Sequence, residues 1–198
     1  MDDIAIFEEK IKAIVIYKFM YEFDKFEKIV KKYFDNKLDE LDINDSNRLY
    51  FYCGGLVNKN LYIDFSNEML CLNNYRFKPN NFDGLTINQI IKVASSNGLG
   101  EMFDIEIDSI QKHLKHDMRS SITKLIKMRN KLAHDLASLD LKDADCIELL
   151  SNDKLNELGG DIIYGLELKE DYEQVKLIFS NIIYMRKICS ELCNSWNL

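Results

Sequence analysis

The chain has 198 residues, of which 46% are hydrophobic and 30% charged, and its formal net charge is −7. This balance is typical of a globular protein and excludes an intrinsically disordered chain. No uncharged apolar run approaches the roughly 18 residues of a membrane span, and the acids Asp2, Asp3 and Glu8 interrupt the N-terminal apolar residues, so we expect neither a membrane segment nor a signal peptide. Five cysteines fit a reducing compartment, and the sequence therefore predicts a cytoplasmic protein.

The whole chain contains one proline, Pro79, and eight glycines. So few helix-breaking residues favour long helices. Apolar residues recur every three or four positions from Asp3 to Phe34, which predicts one long amphipathic helix. Ser46 is a candidate cap of a second helix ending near Gly54-Gly55. A further short helix is predicted over Tyr62 to Leu72, and a loop over Asn73 to Gly84.

The second half predicts three more helices. Thr86 caps a helix over Ile87 to Ala94. The strongest helical pattern runs from about Ile107 to Leu136, within a stretch free of glycine and proline. The segment Asp140 to Lys169 is uneven, and a final helix runs from Asp171 to about Trp196. The sequence thus predicts an all-α fold.

The helix over 107–136 has two distinct faces when its residues are placed at 100° intervals. An apolar stripe lies within about 60° of Leu125 and comprises Leu114, Met118, Ile122, Leu125, Met128, Leu132, Leu136 and Leu139. The polar face comprises His116, Thr123, Lys127, Asn130 and His134. Arg129 lies about 40° from Leu125, at the edge of the apolar stripe. Such an arginine needs a partner, which is either a carboxylate of the same chain, a phosphate or a subunit interface.

Charge is distributed unevenly along the chain. The window 112–134 contains seven Lys or Arg and one acid, so its formal charge is +6 and that of the remainder is −13. A solvated helix face is one interpretation, and a strip that attracts phosphate is the other. We expect His113 and His116, in the same window, to face solvent.

The segment "MRNKLAH", Met128 to His134, resembles the signature of the HEPN superfamily, in which a polar residue follows an arginine and a histidine lies five positions after it. The longer string "LIKMRNKLAHDLA" resembles the RiboL-PSP-HEPN group. The resemblance implies a single HEPN-like domain over 1–198, built as an up-and-down bundle of four to six helices with long N-terminal, motif-bearing and C-terminal helices. Two positions depart from patterns common in the family, because Asp135 stands where many members have glycine and Leu136 where some toxins have tyrosine.

The resemblance also implies a metal-independent endoribonuclease without a cofactor. In this interpretation His134 transfers protons, Arg129 stabilises the charged phosphate and Asn130 positions both, while Lys127 and Lys131 attract RNA. One copy offers one histidine where cleavage requires an acid and a base, so a homodimer would complete the site.

Two alternatives remain open. The chain is either such a nuclease, as a toxin or phage-defence effector with a neutralising or activating partner protein, or a non-catalytic HEPN module that binds RNA or a partner protein. A metal hydrolase is disfavoured, since the histidines lack ligand spacing and Cys189 and Cys193 lack two further ligands nearby.

Overall fold

The computed structural model describes residues 3–40, 48–53, 56–64, 69–72, 75–77, 86–96, 99–134, 140–159 and 173–195. Within these ranges there are five α-helices, α1 (Asp3–Glu40), α2 (Ile87–Ser96), α3 (Met118–His134), α4 (Asn152–Gly159) and α5 (Glu173–Asn194). The strands of the same ranges are β1 (Arg48–Cys53), β2 (Leu56–Asp64), β3 (Met69–Leu72), β4 (Tyr75–Phe77), β5 (Glu106–Asp108) and β6 (Lys115–Asp117). Short 3-10 helices cover Gly100–Phe103 and Asp143–Asp145.

The prediction of a mostly helical chain is confirmed, with long N-terminal, motif-bearing and C-terminal helices in α1, α3 and α5. The two short helices predicted between Ser46 and Leu72 are wrong, because the parts of that region that the structure describes, 48–53, 56–64 and 69–72, form strands. Its sequence contains aromatic and β-branched residues that pack well on a pleated surface, such as Tyr50, Tyr52, Val57 and Ile63. Gly54-Gly55 separates β1 from β2 in the sequence, and Asn73-Asn74 separates β3 from β4, and both dipeptides favour hairpin connections.

These four strands form an antiparallel sheet in the order β1-β2-β3-β4, so each strand pairs with the next along the chain. The register of β1 and β2 shifts between Tyr50 and Phe51, where a bulge or irregularity interrupts the pairing. Helix α2 lies beside β1. Thr86 caps α2 as predicted, since the Gln89 N–H donates to Thr86 Oγ1 at 3.3 Å and the Thr86 N–H donates to Gln89 Oε1 at 2.8 Å.

The chain divides into two compact units, one of residues 1–26 and 106–198 and the other of residues 27–105. The second unit contains the C-terminal part of α1, the four-stranded sheet and α2. In it the Tyr33 hydroxyl donates to the Met102 carbonyl at 2.6 Å, and the rings of Phe34 and Phe103 stack. The single HEPN-like domain over 1–198 stays a prediction.

The core of the first unit lies around α3 and α5. Five residues of the predicted α3 stripe are buried, namely Met118, Ile122, Leu125, Met128 and Leu132. Helix α5 is buried along nearly its whole length from Val175 to Met185, and α4 packs on it. Gly159 ends α4 so close to the Phe179 ring that a Cβ atom there would lie 2.1 Å from the ring. Leu136 and Leu139 of the predicted stripe lie outside the described residues.

The predicted start of the motif helix at Ile107 is wrong. Residues 106–117 form the antiparallel hairpin β5-β6, in which Ile107 is buried and pairs with His116. Helix α3 begins only at Met118, where Asp117 Oδ1 accepts a hydrogen bond from the Ser120 N–H at 2.6 Å. Leu114 therefore precedes the helix and is 57% exposed rather than part of the stripe.

Helix α1 buries its predicted apolar face, including Val15, Phe19, Phe26 and Phe34. Ile14, an apolar residue of the same helix, is half exposed. Among the helices in the described ranges, none combines the length and the apolar character that crossing a bilayer requires.

Candidate functional site

The outer face of α3 carries the predicted site. Thr123, Lys127, Asn130 and His134 are all exposed there, as the helical spacing predicts. Asn130 and His134 are one turn apart, so their side chains project from the same side of the helix. His134 is the last residue of α3. Its side chain is exposed at the C-terminal end of α3.

Arg129 is half-buried at the border between the polar face and the core. Its Nη1 donates a hydrogen bond to Asn130 Oδ1 at 3.3 Å, so two of the three predicted catalytic residues contact each other directly. Over the described ranges Arg129 takes part in no ion pair, and the carboxylate of the same chain that would serve as its partner is not found there.

The two lysines predicted to attract RNA differ in their surroundings. Lys127 is exposed. Lys131 Nζ lies 2.7 Å from Asp145 Oδ2, in the 3-10 helix Asp143–Asp145, and its side chain is 40% exposed. Partial burial acts to raise the pKa of Asp145, but the hydrogen bonds from Lys131 Nζ and the Lys142 N–H outweigh it and hold that pKa below its ordinary value. This ion pair thus links the 3-10 helix Asp143–Asp145 to α3.

Residues 145–146 also accept hydrogen bonds from side chains of α3 and α5. Lys124 Nζ donates to the Cys146 carbonyl at 2.8 Å, and Asn181 Nδ2 donates to the Asp145 carbonyl at 3.4 Å. The Cys146 side chain is buried between these elements, and burial raises the pKa of its thiol to about 12. Cys146 is therefore a core residue and not a reactive nucleophile.

Several lysines of the basic window 112–134 bind other groups of the same chain. Besides Lys124 and Lys131, Lys115 Nζ pairs with Glu106 Oε2 at 2.6 Å across the β5-β6 hairpin. Lys112 and Lys127 are exposed. Lys127 and Arg129, beside Asn130, have no ion pair with another described residue.

Sequence reasoning missed a polar cluster formed by Ser109, Ile110, His116, Glu148 and Tyr184, which we call the Glu148 cluster. Glu148 is 5% exposed. Its carboxylate accepts hydrogen bonds from the Ser109 hydroxyl at 2.8 Å, from the Ile110 N–H at 3.1 Å and from the Tyr184 hydroxyl. These bonds join the tip of the β5-β6 hairpin to α5.

His116 belongs to this cluster, although we expected it to face solvent, and that expectation is wrong. Its Nε2 is buried, lies 3.6 Å from Glu148 Oε2 and has no hydrogen-bond partner among the described residues. Its ring meets the Tyr184 ring edge to face at 5.6 Å. His113, by contrast, is exposed as predicted.

A sequence signal for the cluster exists at Glu148. It is the one charged residue in the run Cys146 to Leu150, whose other members are apolar, and a lone acid in such a run is a candidate for a buried, hydrogen-bonded carboxylate. The residues that donate hydrogen bonds to it lie 36 to 39 positions away in sequence, so no local pattern identifies them.

Within the described ranges no group of three or more His, Cys, Asp or Glu residues is arranged to hold a metal ion. Comparisons with protein-family models, with curated proteins and with solved structures each return no match. The resemblance to a family therefore rests on the motif residues alone.

Proposed function

We propose that the protein is a metal-independent endoribonuclease of the HEPN superfamily, with Arg129, Asn130 and His134 at its active site. The observation that supports this best is the joint exposure of Asn130, His134 and Lys127 on one face of α3, with Arg129 hydrogen-bonded to Asn130 beside them. The grouping provides an imidazole, a guanidinium and an amide on a surface open to a polymer. A role as a cytoplasmic toxin or phage-defence effector, controlled by a partner protein, is part of the same proposal.

The residues suit cleavage by the RNA's own 2′-hydroxyl. An imidazole removes the proton from the 2′-oxygen, which attacks the adjacent phosphorus, and the bond to the 5′-oxygen breaks as that oxygen is protonated. Arg129 stabilises the extra negative charge on the phosphate oxygens through charge-assisted hydrogen bonds. The hydrogen bond from Arg129 to Asn130 keeps the guanidinium oriented on the exposed side of the helix. The products are a 2′,3′-cyclic phosphate and a 5′-hydroxyl.

One copy of the chain offers a single histidine on this face of α3, whereas the reaction needs both an acid and a base. A homodimer that brings two α3 helices together would provide two imidazoles and two guanidinium groups. We include this composite site in the proposal.

The chemistry is tested with a labelled single-stranded RNA incubated with the purified protein in excess EDTA. We expect cleavage that persists in EDTA and leaves 2′,3′-cyclic phosphate ends, since no metal takes part and the nucleophile is the substrate's hydroxyl. The matched control is the same strand with 2′-deoxyribose throughout, which should remain intact. Cleavage of the deoxy strand, or cleavage abolished by EDTA, would contradict the mechanism.

The two lysines are expected to contribute unequally to RNA binding. Lys127→Ala should weaken binding of the RNA and make the slope of log affinity against log salt shallower by about 0.7, because one fewer counterion is released from a single strand. Lys131→Ala should change this slope less, since Asp145 already neutralises the ammonium group. Fluorescence anisotropy titrations from 50 to 200 mM salt measure both slopes, and equal slopes for the two variants would contradict the assignment.

A non-catalytic HEPN module that binds RNA is the second candidate. The ion pair between Lys131 and Asp145 favours it, because it gives a residue of the motif helix a structural role. This candidate predicts RNA that is bound in the anisotropy titration and uncut in the cleavage assay.

A further inference from the structure

Three lysines follow one line of α3 next to the proposed catalytic residues. Lys124, Lys127 and Lys131 are spaced by three and four residues, so their side chains leave the helix on the same side. Lys131 also lies three residues before His134, which makes the two side chains neighbours on the last turn of α3. A phosphate bound at His134 would therefore be close enough for the long side chain of Lys131 to contact it.

A segment that follows α3 in sequence binds the two outer lysines of this line. Lys131 Nζ donates to Asp145 Oδ2 at 2.7 Å, and Lys124 Nζ donates to the Cys146 carbonyl at 2.8 Å. Lys127, between them, is exposed and forms no ion pair with another described residue. Asp145 thus supplies Lys131 with the negative charge that a phosphate would otherwise provide.

The two partners of this ion pair differ in how firmly they are held. Asp145 Oδ2 also accepts a hydrogen bond from the Lys142 N–H at 2.9 Å, and the Asp145 carbonyl accepts one from Asn181 Nδ2 at 3.4 Å. The side chain of Asp145 is 17% exposed, whereas that of Lys131 is 40% exposed. The carboxylate is therefore fixed by the fold, while the ammonium group on its flexible four-carbon stem can rotate towards another anion.

We propose that Asp145 is an autoinhibitory residue, which competes with RNA phosphate for Lys131 and so limits the affinity of the RNA site on α3. This role rests on the proposed ribonuclease function, since it takes single-stranded RNA as the ligand of α3. A partly exposed pair of one lysine and one carboxylate is weak, so phosphate at a high local concentration displaces the carboxylate. A bound polymer provides that concentration through its neighbouring phosphates, whereas a single free phosphate does not.

The competition is measured with the 2′-deoxy single strand, which carries phosphates but lacks the hydroxyl that the proposed cleavage needs. Asp145→Asn keeps one acceptor oxygen for the Lys142 N–H and removes the negative charge. It should tighten binding by roughly fivefold at low salt and make the slope of log affinity against log salt steeper by about 0.7, because the contact of Lys131 with phosphate then releases one more counterion. Fluorescence anisotropy titrations measure both quantities.

Two further variants test whether the effect depends on Lys131. Asp145→Asn combined with Lys131→Ala should lose the gain and return to the slope of Lys131→Ala alone. Asp143→Asn, at an exposed acid of the same 3-10 helix, is the matched control, since it removes the same charge and should change the slope less. A double variant that keeps the gain, or an equal gain in Asp143→Asn, would overturn the proposal.

Circular dichroism shows whether each variant is folded. A second measurement needs no variant at Asp145: the ammonium signal of Lys131 in the NMR spectrum of the wild-type protein, identified by its loss in Lys131→Arg, should shift when the strand is added. An unshifted signal at saturation would also overturn the proposal.

RNA cleavage by the same proteins separates this proposal from the ribonuclease proposal. A gain in affinity that depends on Lys131, with no cleavage by any variant, would support the role of Asp145 and contradict the nuclease. Cleavage without such a gain would contradict the role of Asp145 alone. Absence of binding by every protein, Asp145→Asn included, would contradict both.

Discussion

Replacing His134 with alanine is expected to lower the rate of RNA cleavage by at least about 100-fold, because a positioned acid or base contributes roughly 10² to 10⁴ to such a reaction. The folded state should be retained, since His134 is exposed at the end of α3. Single-turnover cleavage rates together with a thermal unfolding curve separate loss of chemistry from loss of structure.

His113→Ala is the matched control for this experiment. His113 is exposed, like His134, but it lies in the β5-β6 hairpin and outside the motif. Its replacement should leave the cleavage rate within about twofold of wild type, since a surface residue that touches no reacting atom has little effect on the barrier. Unchanged cleavage by the His134→Ala protein would remove this histidine from the mechanism.

Glu148→Ala should cause the largest loss of stability among the substitutions considered. It leaves the Ser109 hydroxyl, the Ile110 N–H and the Tyr184 hydroxyl without the carboxylate that accepts their hydrogen bonds. Breaking a buried charged network of this kind costs about 3 to 5 kcal/mol of unfolding free energy. Urea unfolding at pH 7, followed by circular dichroism, measures the change.

Two comparisons make this result specific. Glu148→Gln keeps the size of the side chain and one acceptor oxygen, so it should lose less stability than the alanine variant. Glu157→Ala breaks an exposed ion pair with Lys154 and should cost less than about 1 kcal/mol. A Glu148→Ala protein as stable as the Glu157→Ala protein would show that the cluster does not hold the hairpin.

The effect of Glu148→Gln should also depend on pH. Burial acts to raise the pKa of Glu148, but the hydrogen bonds from Tyr184, Ser109 and the Ile110 N–H outweigh it and place the pKa below the ordinary value. A carboxyl group with a lower pKa in the folded state contributes stability above its unfolded pKa and loses it as the pH falls through the folded pKa. The stability difference between wild type and Glu148→Gln should therefore shrink in acid.

The Glu148 cluster gives the first unit a fixed hairpin in front of the motif helix. Gln111 at its tip donates to the Leu149 carbonyl at 2.7 Å and accepts from the Ser151 N–H at 3.0 Å. Asp117 at its end then caps α3. The N-terminal end of α3 is thereby held by contacts with segments distant in sequence, while its C-terminal end carries the exposed His134.

Local pattern was sufficient to predict the three long helices and the joint exposure of Asn130 and His134. The three- and four-residue spacing of apolar residues predicts α1 and α3 and most of the residues that they bury, because an α-helix repeats every 3.6 residues. The same spacing places Asn130 and His134 together on the exposed side of α3. Thr86 followed by Gln89 likewise predicts the start of α2.

Contacts between segments distant in sequence determined the features that the local pattern did not predict, namely the β5-β6 hairpin and the Glu148 cluster. The alternation of Ile105 and Ile107 with acidic residues is compatible with a strand as well as with the start of a helix. Because residues 106–108 pair with Lys115–Asp117, the segment forms a hairpin. Glu148, His116 and Tyr184 form a buried cluster only because folding brings together residues more than 30 positions apart. A buried carboxylate is stable there since donors from other segments replace the water it loses, and no short stretch of sequence contains those donors.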